Sequence, residues 1–390
     1  MQFKDPVMIT GNQMLESVIH DLLQEDFITV DTEFVREHTY WPDLCLVQLA
    51  GNNGVFIVDA QAEGLDLSLL TKLLDDESVT KVFHAAQQDL EIFFHLFGRL
   101  PKAIFDTQIA AMVAGFGNQI GYNHLVESLI GVSIDKSHRF SDWSIRPLIK
   151  AQLNYAAADV TYLRKIYEIL LKKLKEENRL SWVSTEIQSL SNPENYKPSI
   201  DKLWKRIKPP THNRYVLGVL YEIIKWREGE AQRLNIPRQH LIRDESLLEI
   251  AAVVPTNIHA LNRIRGVSNG FAEGAEGASL LDILKMLKKR SADSFNFPSL
   301  REKKAERPSE ALLSLLKVLL LAKCEAYEVA PKLVASSKEI ESLASGETEL
   351  PVLTGWRRKV FGQDALDLCA GKLILGVGNR KIQLINRDRI

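Results

Sequence analysis

Up to residue 175, short β-rich runs alternate with amphipathic segments. Beyond Asn213 the strand pattern all but stops, and that change of period constrains the fold more than any other feature. Strand-like runs fall at Phe27–Phe34, Leu44–Ala50, Gly54–Val58 and Lys81–Ala86. Helical patterns fall at Asn12–Gln24, Leu67–Leu74, Gln87–Phe97, Thr107–Gly115 and Ile149–Lys175. Strands followed by helices indicate an α/β sheet with helices packed on it. Short polar spacers such as Asn52-Asn53-Gly54 make the first three runs an antiparallel meander, so a mixed sheet is expected. The second half reads as helices at Val216–Leu234, Asp244–Val253, Asn257–Arg263, Leu280–Lys289, Ser309–Tyr327 and Ser337–Ala344. A closing strand pair, Lys372–Gly376 and Lys381–Ile385, flanks Gly378-Asn379. Two prolines between Ser191 and Pro198, then Pro209-Pro210, mark the end of the first domain. The charged stretch Arg290–Pro308 reads as a linker that splits the helical half. The division expected is therefore 1–205 (α/β), 206–292 and 293–390 (both mainly helical).

Composition narrows the class. Hydrophobic residues at 45% and charged residues at 25% describe a globular chain, neither disordered nor fibrous. The amino-terminal stretch has no positive segment followed by an apolar run. The longest apolar run, Ala311 to Ala322, is interrupted by Lys317 and too short to span a bilayer. No membrane association is expected, and a cytoplasmic location is. Cys45, Cys324 and Cys369 lie far apart without a CxxC pair, which argues against a zinc site or a disulfide framework. The net charge of −1 conceals an asymmetry: residues 1–200 carry −10 and residues 201–390 carry +9. Acids that hold divalent cations and bases that hold phosphates would divide in this way; so would two merely solvated faces.

Three short elements carry the chemistry. In the run Phe-Ile-Thr-Val-Asp-Thr-Glu-Phe (27–34), strand periodicity points Asp31 and Glu33 to one face. Two carboxylates on one face of a buried strand repel unless a cation lies between them, and hard oxygen ligands favour Mg²⁺ or Mn²⁺ over zinc. A strand end whose acids face water is the other reading. Asp89 follows the run Lys-Val-Phe-His-Ala-Ala (81–86) and opens a helix, at the sheet edge where α/β proteins keep their sites. Taken alone it would complement a helix dipole. Tyr155 and Asp159, four apart on a strongly helical segment, share one face; the alanines between them leave a thin surface that a substrate or metal could approach. No GxGxxG or Walker sequence is present, and no organic cofactor is expected.

In order and spacing these elements resemble the DEDD exonuclease family, in its tyrosine subclass. His84-Ala-Ala-Gln-Gln-Asp89-Leu90, Ser141-Asp142-Trp143, Arg146-Pro147-Leu148 and Gln152 ahead of Tyr155 are similar to the ribonuclease D branch of that family, over about residues 1–190. Trp226-Arg227, Ala231, Pro237-Arg238, Arg243-Asp244-Glu245 and Ile264-Arg265-Gly266 resemble the helicase-and-ribonuclease-D C-terminal (HRDC) domain. Leu353-Thr354-Gly355-Trp356-Arg357-Arg358 with Phe361-Gly362 resembles a second, more divergent domain of that type. Gly270–Ser279 departs from the pattern in being rich in Gly and Glu.

The resemblance implies a ribonuclease H-like mixed sheet flanked by helices, followed by two HRDC-type domains. It implies 3′→5′ hydrolysis of RNA with release of nucleoside 5′-monophosphates, two Mg²⁺ or Mn²⁺ ions, and transfer RNA precursors and other structured RNA 3′ ends as substrates. Asp31, Glu33 and Asp159 would hold the ion that activates water. Asp31 would bridge to a second ion, with Asp89 assisting through its water shell and Tyr155 orienting the attacking water. A free phenol near pH 10 is a poor base, so orientation is its expected role. In the preceding loop, Lys136, His138 and Arg139 would contact phosphate and Trp143 would stack on a base; alternatively Trp143 packs under the loop. His84 reads as a hydrogen-bonded structural residue. The competing functions are a DNA exonuclease and a non-catalytic RNA-binding adaptor, although an adaptor would be expected to lose acids. All five site residues precede Ser191, so a fragment 1–205 is expected to keep the site.

Overall fold

The computed structural model describes residues 5–299 and 308–387. They form two compact units. One comprises Met1–Glu33, Cys45–Asn195 and Lys303–Ile390; the other comprises Phe34–Leu44 and Tyr196–Glu302.

The first unit is built on a sheet of six strands: β1 (Val7–Ile9), β2 (Phe27–Val35), β3 (Asp43–Ala50), β4 (Val55–Asp59), β5 (Thr80–Phe83) and β6 (Ile104–Asp106), in the spatial order β1-β4-β3-β2-β5-β6. β3 and β4 pair antiparallel, whereas β1–β4, β2–β5 and β5–β6 pair parallel, so the sheet is mixed as the spacers indicate. The edge strands β1 and β6 have only three residues each, too few for alternation to register as a pattern.

Seven helices follow the strands: α1 (Asn12–Leu22), α2 (Thr71–Leu74), α3 (Gln87–Phe97), α4 (Thr107–Val113), α5 (Tyr122–Ile130), α6 (Lys150–Glu176) and α7 (Leu180–Leu190). α6 buries Ala156, Val160, Leu163, Ile166, Tyr167, Leu170 and Leu174 in a stripe of helical period. Its alanines serve this packing: Ala156 is fully buried and Ala157 rests on Ala50 and Val55. They let the helix lie close on the sheet. Two contacts fix the register. Thr29 Oγ1 on β2 donates to the Val160 carbonyl at 2.7 Å. Arg164 donates to the carbonyls of Phe27 and Ala50 at 3.2 and 3.1 Å, with its guanidinium 4.3 Å from the centre of the Phe27 ring.

Residues 308–387 belong to this same unit. Their helices, Glu310–Ala326 and Ser337–Ala344 foremost, surround a core of Leu316, Leu319, Val334, Val352, Val360 and Phe361. An antiparallel pair closes the chain, β7 (Leu373–Gly378) and β8 (Lys381–Asn386), matching the expected strand pair. Trp356 stacks on Trp182 of α7, ring centres 4.6 Å apart and 9° from parallel, and Arg357 pairs with Glu186 at 2.6 Å. The Ala330 N–H donates to the Met112 carbonyl at 2.9 Å.

In the second unit the helix Arg214–Arg233 runs through a core containing Trp204, Ile223, Leu247, Ile250, Leu280 and Leu284. Arg227 is buried, donates to the Ile242 carbonyl at 2.9 Å and forms an ion pair with Asp244 at 2.7 Å. Glu228, also buried, accepts from Tyr40 and from Arg238, whose guanidinium lies 4.7 Å from the centre of the Tyr40 ring. The Gly-rich stretch is two helices, Asn269–Glu273 and Ala275–Lys288, meeting at Gly274. A side chain at Gly277 would come within 2.3 Å of the Phe271 carbonyl, so the close approach requires glycine. The reading as a linker fails in its first part. Ala292–Ser294 is a 3-10 turn, and Phe295 is buried against Gly218 in the core of this unit. Residues 300–307 of that stretch lie outside the described residues.

Candidate active site

The Thr29 contact that seats α6 on β2 also aligns the acids. Thr29, Asp31 and Glu33 share one face of β2, and the carbonyl that Thr29 holds belongs to the residue after Asp159. Carboxylate oxygens of Asp31, Glu33 and Asp159 consequently lie within 4.8 Å of one another. Among the described residues no other group of three His, Cys, Asp or Glu side chains converges in this way.

Asp89 is not part of that trio. It sits in the first turn of α3, buried, and accepts a 2.5 Å hydrogen bond from Thr32 Oγ1. The start of α3 is set by Asp106, a residue whose role the sequence does not announce. Ala85 has a left-handed backbone, φ 59°. One buried carboxylate, Asp106, accepts the N–H groups of Ala85 and Ala86 at 3.2 and 2.9 Å and those of Gln108 and Ile109 at 2.7 and 3.2 Å. It thus closes the β5–α3 turn and caps α4 together.

Tyr155 lies beside Asp159, and its hydroxyl offsets part of the rise that burial imposes on that carboxyl. Burial, reinforced by the charges of Asp159, Glu33 and Asp31, pushes its phenol well above the ordinary value. A phenol so placed keeps its proton, which favours orientation over base catalysis. Trp143 lies 5.9 Å from the Tyr155 ring, centre to centre, and is only 2% exposed. It therefore packs beneath the loop and presents no face to a base, which corrects the stacking expectation. Arg146 anchors it there: two hydrogen bonds to Asp59 at 2.8 and 2.6 Å, and one to the Trp143 carbonyl at 2.6 Å. Burial opposes ionisation of Asp59, but the Arg146 contacts win and hold its carboxyl below the usual range. His84 is structural as read, its Nδ1 3.0 Å from Thr107 Oγ1. In the second half, Arg357 is engaged by Glu186 and Arg290 by the Ser294 carbonyl at 2.6 Å.

The electrostatics test whether a cation fits. Burial, and then the charge of Asp159, raises Asp31 well above the ordinary carboxylate range. Burial and the charges of Asp31, Asp159 and Asp89 raise Glu33; burial raises Asp159. Converging oxygens that resist ionisation for want of positive charge suit a divalent ion with oxygen ligands.

Each of these carboxyls binds a proton more tightly folded than unfolded, so their contribution to stability is greatest at low pH. It declines as pH rises from the ordinary carboxyl range through about 7 for Asp159 and towards about 10 for Glu33. We expect the metal-free melting temperature to fall between pH 5 and pH 9. Mg²⁺ should raise it more at pH 8 than at pH 5.5, because protons and cation compete for the same oxygens. Thermal melts in EDTA and in Mg²⁺ check both; a pH-independent Mg²⁺ shift would exclude these acids as its source.

Comparison with known proteins agrees with this geometry. Residues 6–175 match a family described as 3′-5′ exonuclease, and residues 216–284 match the HRDC domain. The chain is 55% identical to ribonuclease D of Gluconacetobacter diazotrophicus and 47% identical to that of Acidiphilium cryptum, with 98% of both chains covered in each case. It is also similar to the crystal structure of Escherichia coli RNase D, described as an exoribonuclease involved in structured RNA processing. The TM-score is 0.79 and the identity 27%, over 95% of this chain and 99% of that one. The catalytic core of RRP6 from Trypanosoma brucei shares the fold, with a TM-score of 0.58. An α/β domain holding converging carboxylates, an HRDC domain after it, and end-to-end identity to such relatives place this chain in the ribonuclease D family of 3′→5′ exoribonucleases.

Proposed function

We propose that the chain trims the 3′ ends of structured RNA, transfer RNA precursors among them, in the cytoplasm and by two-metal hydrolysis. The observation that supports this reading best is the convergence of Asp31, Glu33 and Asp159 within 4.8 Å of one another. These three would hold one Mg²⁺ or Mn²⁺, and Asp31 would share a second with Asp89. Bound there, the ions would lower the pKa of water and neutralise charge developing on phosphorus and the leaving oxygen. The remaining work falls to the chain. Tyr155, protonated and directed by Asp159, orients the attacking water. Thr32 holds Asp89 in place, and Thr29 keeps the β2 acids opposite Asp159. The product is a nucleoside 5′-monophosphate. We further propose limits of 1–205 for the exonuclease domain, 206–292 for the HRDC domain, whose core extends past that limit to Phe295, and 293–390 for a second HRDC-like domain that packs on the exonuclease domain.

Matched RNA and DNA oligonucleotides, with and without Mg²⁺, test the reading. Stepwise shortening of RNA from its 3′ end, dependent on the ion, is expected. Preference for DNA would make this a DNA exonuclease; binding without shortening would make it an adaptor.

Tyr155→Phe should lower the single-turnover rate by about 10²–10⁴-fold with little change in RNA affinity. The ring still packs on Trp143 while the hydroxyl is lost. A collapse of binding at an unchanged chemical rate would reassign Tyr155 as a substrate contact.

A further inference from the structure

The loop before α6 carries an apolar surface that neither the fold nor the catalytic site uses. Phe140 is 90% exposed, and Ile145 and Ile149 are 60% and 56% exposed. The same loop is firmly attached to the site at Trp143, which is buried against Tyr155 and held through Arg146 to Asp59. Phe140 stands three residues before that anchor, so its ring is displayed beside the active site on a short tether. The turn that presents it is ordered by its own hydrogen bonds, Arg139 N–H to the Lys136 carbonyl at 3.2 Å and Ser141 N–H to the His138 carbonyl at 3.1 Å.

The charges around the ring indicate what it meets. Arg139 lies 5.3 Å from the centre of the Phe140 ring. Lys136 and His138 precede it. The loop acids Asp135 and Asp142 are each turned onto a neighbouring serine, Ser137 and Ser144. A solvent-facing aromatic ring beside a guanidinium, at the mouth of a site that cleaves phosphodiesters, suits a nucleotide: base on the ring, phosphate on the arginine.

We propose that Phe140, with Arg139, is a stacking platform for one unpaired base in the 3′-terminal segment of the RNA. The proposal rests on the RNA-trimming reading above and adds a positioning residue to it. Stacking on an aromatic is tolerant of sequence, because every base has a π-face, so the platform selects for unpaired 3′ ends and not for particular letters. A paired 3′ end cannot offer a free base and would forgo this contact.

The test uses the full chain in Ca²⁺, with binding measured to a short single-stranded RNA and to a set carrying one abasic nucleotide at each of the last four positions. Phe140→Ala should weaken binding of the intact RNA about ten-fold, and Phe140→Trp should restore it. At one abasic position the alanine variant and the wild type should bind alike, because the base that stacks is already missing. With the ring 90% exposed, unchanged melting of Phe140→Ala is the control for folding. Equal affinity of Phe140→Ala and wild type for intact RNA overturns the proposal. So does a loss that persists at all four abasic positions, or a change in self-association without a change in RNA affinity. The two readings fail separately. If wild type shortens RNA in Mg²⁺ while Phe140→Ala binds normally, only the platform falls. If wild type neither binds nor shortens RNA, the functional reading falls and takes the platform with it.

Discussion

Asp31→Asn should lower RNA turnover by at least about 10³-fold, or ~4 kcal/mol of transition-state stabilisation, while raising the melting temperature of the metal-free chain. Both effects have one cause. Asp31 lies within 4.8 Å of Glu33 and Asp159, and burial and the charge of Asp159 push its carboxyl well above the ordinary range. An amide of the same shape removes the repulsion and with it a charged oxygen for the cation. Turnover and stability therefore move in opposite directions, as expected for a group strained for function. The Mg²⁺-dependent rise in melting temperature should shrink at the same time. Activity within a few-fold of wild type at limiting Mg²⁺ would refute the assignment. A fall in the metal-free melting temperature would mean that Asp31 chiefly supports the fold.

Ending the chain at residue 302 should lower the melting temperature by about 10 °C or more. The lost segment does not hang free of the exonuclease fold. Its Trp356 stacks on Trp182, its Arg357 pairs with Glu186, and its Ala330 bonds to Met112. Gly115, at φ 88°, is shaped to it: a side chain there would lie 2.7 Å from the Glu328 carbonyl. Trp356→Ala in the full chain separates this packing from deletion in general, and should cost about 3–5 kcal/mol. A fragment 1–205 should melt lower still. It also lacks Glu228 and Arg238, which hold Tyr40. Melts of the three proteins beside the full chain decide this; a chain ending at 302 that melts within a few degrees of full length would make the carboxyl segment an independent domain.

What the sequence disclosed, and what it withheld, follows the range of each signal. The strands around Asp31 and Glu33 and the helix through Tyr155 and Asp159 are long and periodic, so both element and face could be read directly. β1 and β6 are three residues each and have no period to find. The positioning residues were hidden for another reason. Thr29, Asp106 and Arg164 act on partners far along the chain or on backbone groups, and nothing beside them in sequence marks those partners. The exchange of Trp143 for Phe140 is similar. Both are aromatic residues of one basic loop, and only Arg146, gripping Asp59 and the Trp143 carbonyl, decides which ring is buried. Residues 293–390 read as a helical domain of their own, and the packing of Trp356 on Trp182 is a matter of surface fit that composition and helix period do not report.

The four N–H groups gathered by Asp106 bear on how the enzyme advances along its substrate. One carboxylate ties the turn before Asp89 to the start of α4, and the Thr29 bond ties the Asp31 strand to the Asp159 helix. The elements that carry the acids are thus tied to their neighbours by hydrogen bonds from outside the site. If these acids hold the metals as proposed, the new 3′ end left by each cut is drawn forward past them by one nucleotide. Such an arrangement makes the length of the step a property of the polymer, and the rate of successive steps a matter of how quickly the strand lets go and settles again.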